Sequence, residues 1–136
     1  MSQVKPEQIA SIMSILQGLR LPYQIANIAT VDNIYWAKPR SGQASFSWYR
    51  KSICIEPIET GLSGAAASKY RAEMLRTRVP AIAHELRHLQ QWRDWGPLWF
   101  FLNNLPIVQS WKMEKEAYAV EDAAREQLGL ADGLHL

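Results

Sequence analysis

Residues 79–92, VPAIAHELRHLQQW, constrain this chain more than any other stretch. His84 and His88 are four positions apart, a spacing that sets two side chains one above the other on a single helical face. Two imidazoles placed this way can both reach one zinc ion at roughly 2.0–2.1 Å. Glu85 sits about 100° around the helix from His84. That puts it beside the metal, where a carboxylate can take a proton from an activated water. Val79, Ile82, Leu86 and Leu89 follow the 3, 4, 3 spacing of a buried stripe. The spacing therefore predicts one helix with a core face and a metal face that do not compete.

A zinc centre needs a third protein ligand and an open fourth position. The only other histidine, His135, is the penultimate residue, and chain ends are prone to fraying. Carboxylates of the last predicted helix are better placed: Glu114, Glu116, Glu121 and Asp122. Glu114 and Glu116 point about 200° apart, so at most one of them faces the ion. Ala117 and Ala124 are small enough to let this helix approach its neighbour closely. Glu114 lies one turn before Ala117 and Tyr118, with Glu121 on nearly the same face. Glu114 leads, and Glu121 and Glu116 stay open.

The rest of the chain reads as an α+β domain. Pro6 and Glu7 suit a first helical turn, and Ile9, Ile12, Met13, Leu16 and Leu19 mark one apolar face running to Gly18 and Pro22. Short β-branched or aromatic runs at 24–30, 33–37, 45–49 and 52–56 predict an antiparallel sheet of three or four strands. Small residues at 60–68 lead into a helix from about Ala65. Pro80 either kinks that helix or opens the motif helix. Gly96-Pro97 ends the motif helix, and a final helix from Pro106 runs to about Leu128. Residues 95–111, bounded by Trp95 and Trp111, are unusually apolar. They are expected to pack beneath the site, with a peripheral membrane anchor and a partner or substrate wall as alternatives.

With 136 residues, 15 basic and 13 acidic, the chain is read as one domain spanning residues 1–136. Residues 1–113 carry 13 basic and 7 acidic side chains, against 2 and 6 in 114–136. The basic positions near aromatics (Lys38, Arg40, Arg50, Lys51) and those on the helix after residue 65 (Lys69, Arg71, Arg76, Arg78) raise nucleic acid as a partner. Solvated surface is the preferred reading. The one cysteine, Cys54, excludes an internal disulfide and is expected to be a buried thiol, which suits a reducing compartment. No run is long enough to span a membrane, and residues 9–19 make a poor secretory signal after Pro6 and Glu7. A cytoplasmic location is expected.

HELRH, followed on a later helix by Glu114-Lys115-Glu116-Ala117, resembles the gluzincin type of zincin metallopeptidase. It is most similar to the small single-domain HExxH proteins of bacteria and phages. The longer HExxHxxQ form, His84 to Gln91, and the Gly96-Pro97 that follows fit the same group. The resemblance implies zinc held by His84, His88 and Glu114, with Glu85 as general base. It also implies a small antiparallel sheet before the active helix, whose edge strand pairs with an extended peptide or protein substrate. Residues 51–56 are the expected edge. The chain departs from the pattern at Tyr118, where relatives often carry the Asp or Asn that orients a ligand histidine. Tyr118 is thus assigned either that orienting role or donation to the transition-state oxyanion, for which Arg87 is a second candidate. The rival expectation is a regulatory or binding module that keeps the scaffold without turnover.

Overall fold

The computed structural model describes residues 2–40, 42–47, 51–103 and 111–130, with 97–103 and 111–112 described as helical backbone alone. Expectations for Trp48, Tyr49, Arg50, Pro106, His135 and the side chains of residues 98–102 lie outside the described residues. The architecture is α+β. Helix α1 (Pro6–Gln17) is followed by a 3-10 turn at Ile28–Thr30, then a small sheet, then helices α2 (Gly64–Asn103) and α3 (Trp111–Gln127). Pro6 opens α1, and the Gln8 side chain accepts from the Lys5 N–H at 3.0 Å. Ile12 and Leu16 bury the inner face of α1, as the spacing predicts.

The sheet is mixed, which corrects the antiparallel expectation. It comprises β1 (Ser2–Gln3), β2 (Asn33–Trp36), β3 (Ala44–Ser47) and β4 (Ser52–Ile55), in the spatial order β1-β2-β4-β3. Strand β4 pairs antiparallel with β3 and parallel with β2, in a register that sets Ile34 opposite Ile53. Strand β3 lies beyond β4, so β2 and β3 are not neighbours. Alternation within a strand reports which face is buried and says nothing about which strand is the neighbour. The central position of β4 shows in its burial: all four residues are buried. Residues 51–56 are therefore interior to the sheet and cannot accept an added strand. Among the described residues the edges are β1 and β3.

Residues 24–30 are not a strand, although their β-branched content predicts one. The Asn27 side chain accepts from the Ala29 N–H at 2.9 Å and starts a 3-10 turn. The preceding Ala26 N–H donates to the carbonyl of Leu86 in α2 at 3.1 Å. A local side-chain cap and a tertiary bond together override propensity here. Strand β1 is two residues long, too short to leave a pattern, and Val4 N–H extends its pairing by donating to Ile34 O at 2.9 Å.

Pro80 lies in the interior of α2, fully buried, and does not open a helix. The break comes at Gly96, with φ 80° and ψ 163°, a region essentially closed to side chains bearing a Cβ. Val79, Ile82, Leu86 and Leu89 bury the core face of α2 against Ile12, Ile28, Ile53 and Ile55, in agreement with the predicted stripe. Two of the four supposedly exposed basic residues on α2 serve the fold instead. Arg78 is buried and donates to Glu56 O and Pro57 O, and Arg76 donates to Leu128 O. Cys54 is buried, with its sulfur 3.3 Å from the Ser45 hydroxyl. No helix among the described residues is long and apolar enough to cross a membrane. Gly96→Ala should cost on the order of 1–3 kcal/mol of stability, read as a lowered midpoint in chemical denaturation.

Candidate metal centre

The centre forms where α3 crosses α2. Ala117, Val120 and Ala124 are fully buried, so the small residues of α3 let the two backbones approach. That crossing lays Glu114, Tyr118 and Glu121, which share one face of α3, over the face of α2 that carries His84 and His88. The imidazoles stand edge to face, with ring centroids 4.9 Å apart. Glu114 Oε1 lies 2.5 Å from His88 Nε2 and 3.5 Å from His84 Nε2. Ligand atoms of His84, His88 and Glu114 all lie within 4.8 Å of one another.

This donor set suits a small divalent cation. Ligands about 2.05 Å from a tetrahedral ion are about 3.3 Å from each other. The His84–Glu114 spacing already matches that edge, and the His88–Glu114 contact would have to open by somewhat less than 1 Å.

Each ring has a polar side chain behind its far nitrogen. Glu121 Oε1 lies 2.9 Å from His84 Nδ1, somewhat off the line of a good ring N–H bond, and Arg125 holds the other Glu121 oxygen at 3.2 Å. Gln91 Oε1 lies 2.9 Å from His88 Nδ1. Outer partners of this kind fix ring orientation and tautomer in metal sites. Glu114 therefore lies on the open side of both rings, and Glu121 lies behind one of them.

Charge in the centre is predominantly negative. Burial disfavours a charged His84, but Glu114, Glu121 and Glu85 around it outweigh burial and push its pKa up to about 10. Burial also opposes the Glu114 charge, yet bonds to His84 and His88 hold its carboxyl well below the usual range. Glu85 keeps some exposed surface, but its carboxyl is deep enough that burial pushes its pKa up against the pull of the two histidines. Several carboxylates around two imidazoles make a pocket that favours positive charge, which protons supply when no metal ion does.

Tyr118 packs its ring edge on His84, with centroids 4.7 Å apart, and is 39% exposed. Burial, then the charges of Glu114 and Glu121, raise its pKa, so its hydroxyl stays protonated and donates to Glu114. The structure thus brings His84, Glu85, His88, Glu114, Tyr118 and Glu121 together. Two other candidates lie elsewhere. Glu116 is buried on another side of α3, bonded to Arg87 at 2.7 Å. Arg87 also donates to Gln24 O at 2.6 Å, so it is spent on structure and is not an oxyanion donor. Gln91 and Glu121, rather than Tyr118, lie against the far nitrogens of the two rings, where an orienting group would stand. Position 91, three past His88, and position 121, seven past Glu114, carry the helical spacing that could have suggested it.

No protein-family model matches this chain, and no curated protein or solved structure matches it either. The geometry stands alone. Arg87 and Glu116 are each less than a tenth exposed, so truncating one strands a buried charge. Glu116→Ala should cost about 3–5 kcal/mol in denaturant unfolding, well above the loss for the half-exposed Glu114→Ala.

Proposed function

We propose that the chain is a zinc-dependent peptidase of the zincin type, with zinc held by His84, His88 and Glu114. The observation that carries this reading is the convergence of two imidazole Nε2 atoms and one carboxylate oxygen, with a second carboxylate, Glu85, beside them. Two nitrogens and one oxygen leave a tetrahedral ion one open position, the mark of a catalytic rather than a structural zinc. Bound there, zinc would polarise a peptide carbonyl and acidify a water.

The chain's own residues supply the remaining work. Glu85 accepts the proton of the attacking water and returns it to the leaving amine. Tyr118, exposed at the mouth with its hydroxyl protonated, would turn that hydrogen from Glu114 to the developing oxyanion. Glu121 and Gln91 hold the imidazoles with their Nε2 atoms toward the ion. With β4 interior, an extended substrate would add to β3, the sheet edge packed against α2. The binding-module alternative loses part of its basic surface, since Arg76 and Arg78 are bonded within the fold.

Two measurements test this. One zinc per chain should be found by metal analysis, and His88→Ala or Glu114→Ala should abolish stoichiometric binding. If Glu121→Ala loses the ion while Glu114→Ala keeps it, the ligand assignment fails. Glu85→Gln should retain zinc and fold while losing at least about 10²–10⁴ in peptide hydrolysis. A zinc-loaded wild type that cleaves nothing in a broad peptide library would overturn the peptidase assignment.

A further inference from the structure

His88 is backed by an amide, whereas His84 is backed by a carboxylate. A primary amide has two nearly isosteric faces, one accepting and one donating. Left to itself it could present either face to His88 Nδ1. Presenting the NH₂ would require a deprotonated Nδ1 and so place the ring proton on Nε2, the atom that faces the ion.

The surroundings of Gln91 remove that choice. Gln91 is fully buried, and its Nε2 donates to Met113 O at 3.1 Å and to Glu116 Oε1 at 3.0 Å. Both partners are obligate acceptors, so the amide nitrogen must point at α3 and the amide oxygen at His88. Glu116 is held in turn by Arg87 at 2.7 Å, and Arg87 is anchored on Gln24 O. The order is Gln24 carbonyl, Arg87, Glu116, Gln91, His88, and each link joins a donor to an acceptor, while Arg87 Nε lies buried outside the chain of bonds.

We propose that Gln91, locked by the buried Glu116–Arg87 pair, is a positioning residue that fixes His88 in the Nδ1–H tautomer and keeps its Nε2 lone pair free for the metal ion. The inference rests on the reading of the site as a metal centre. It deepens that reading by assigning tautomer control to three residues that touch no ion. The ion pair also lets a neutral amide stand against the ligand histidine. Glu116 polarises the amide, and Arg87 cancels its net charge.

The test is zinc affinity by competition with a chromophoric chelator, together with the visible absorption of the cobalt(II)-loaded protein. Gln91→Met keeps the bulk and removes the acceptor. It should weaken zinc binding about 10–100-fold and alter the cobalt bands. The double exchange Gln91→Glu with Glu116→Gln restores an acceptor for His88, a donor to position 91 and an acceptor for Arg87, and gives up the bond to Met113 O. It should recover part of the loss. A merely structural role would lower the melting temperature of the metal-free protein and leave affinity and cobalt spectrum unchanged, and that result overturns the proposal. If Gln91→Met does not fold, Gln91→Asn carries the test alone. It keeps the amide but is one methylene too short to meet both Met113 O and His88 Nδ1, so it should weaken zinc and shift the cobalt bands, and wild-type values would overturn the proposal. Wild-type protein that holds zinc while these variants bind it equally well refutes the positioning role and leaves the metal centre standing. Wild-type protein that holds no zinc refutes both.

Discussion

The crossing of α3 over α2 is the constraint on which the rest depends. It is set by apolar packing: Ala117, Val120 and Ala124 are fully buried, as are Ile82 and Leu86 on the facing helix. Helices whose contact residues are small approach closely, and their rotation about each other is then fixed by side-chain interlock. Rotate α3 by one residue and Glu114 leaves the histidine face altogether, since adjacent positions differ by about 100°. Two polar chains ending in arginine reinforce the crossing, His84–Glu121–Arg125 and His88–Gln91–Glu116–Arg87. Buried polar groups of this kind add little net stability over apolar packing, but they are intolerant of mispairing. Here the apolar contacts supply the adhesion and the polar ones discriminate among registers.

The same division explains the electrostatics. Glu116 and Glu121 each carry an arginine partner, so their charges are largely compensated locally. Glu114 and Glu85 face the histidines instead. The excess negative charge is thus concentrated where the two Nε2 atoms converge. A cation entering this pocket meets two imidazoles already oriented and a carboxylate already between them, so little side-chain ordering remains for binding to cost.

Much of this was legible in the sequence, and what was not has a physical reason. The two faces of the motif helix and the alignment of Glu114 with Glu121 follow from helical periodicity, and the start at Pro6 and the break at Gly96 from the backbone limits of those residues; all are properties of single segments. The parallel pairing of β2 with β4 could not be read, because alternation in 52–55 describes a buried strand without naming its neighbours. Residues 24–30 were misleading since Asn27 and the bond from Ala26 to α2 outweigh β-branched propensity. The Arg87–Glu116 contact joins two helices whose mutual rotation no local pattern encodes. Arg78 looked like solvated surface because its stem and head are buried by a loop, 56–57, that lies 21 residues away in the chain.

The bond from Ala26 N–H to Leu86 O has a consequence for how the molecule breathes. Residues 24–27 have no regular secondary structure, and by that measure alone they belong with the loops that open readily to solvent. Ala26 is only 2% exposed, however, and its amide hydrogen is held by a carbonyl in the middle of the motif helix, while Arg87 grips the carbonyl two residues earlier. Deuterium can replace that hydrogen only when the contact with α2 is broken. The segment thus exchanges with the helix rather than with the loops, and its opening free energy is that of the core.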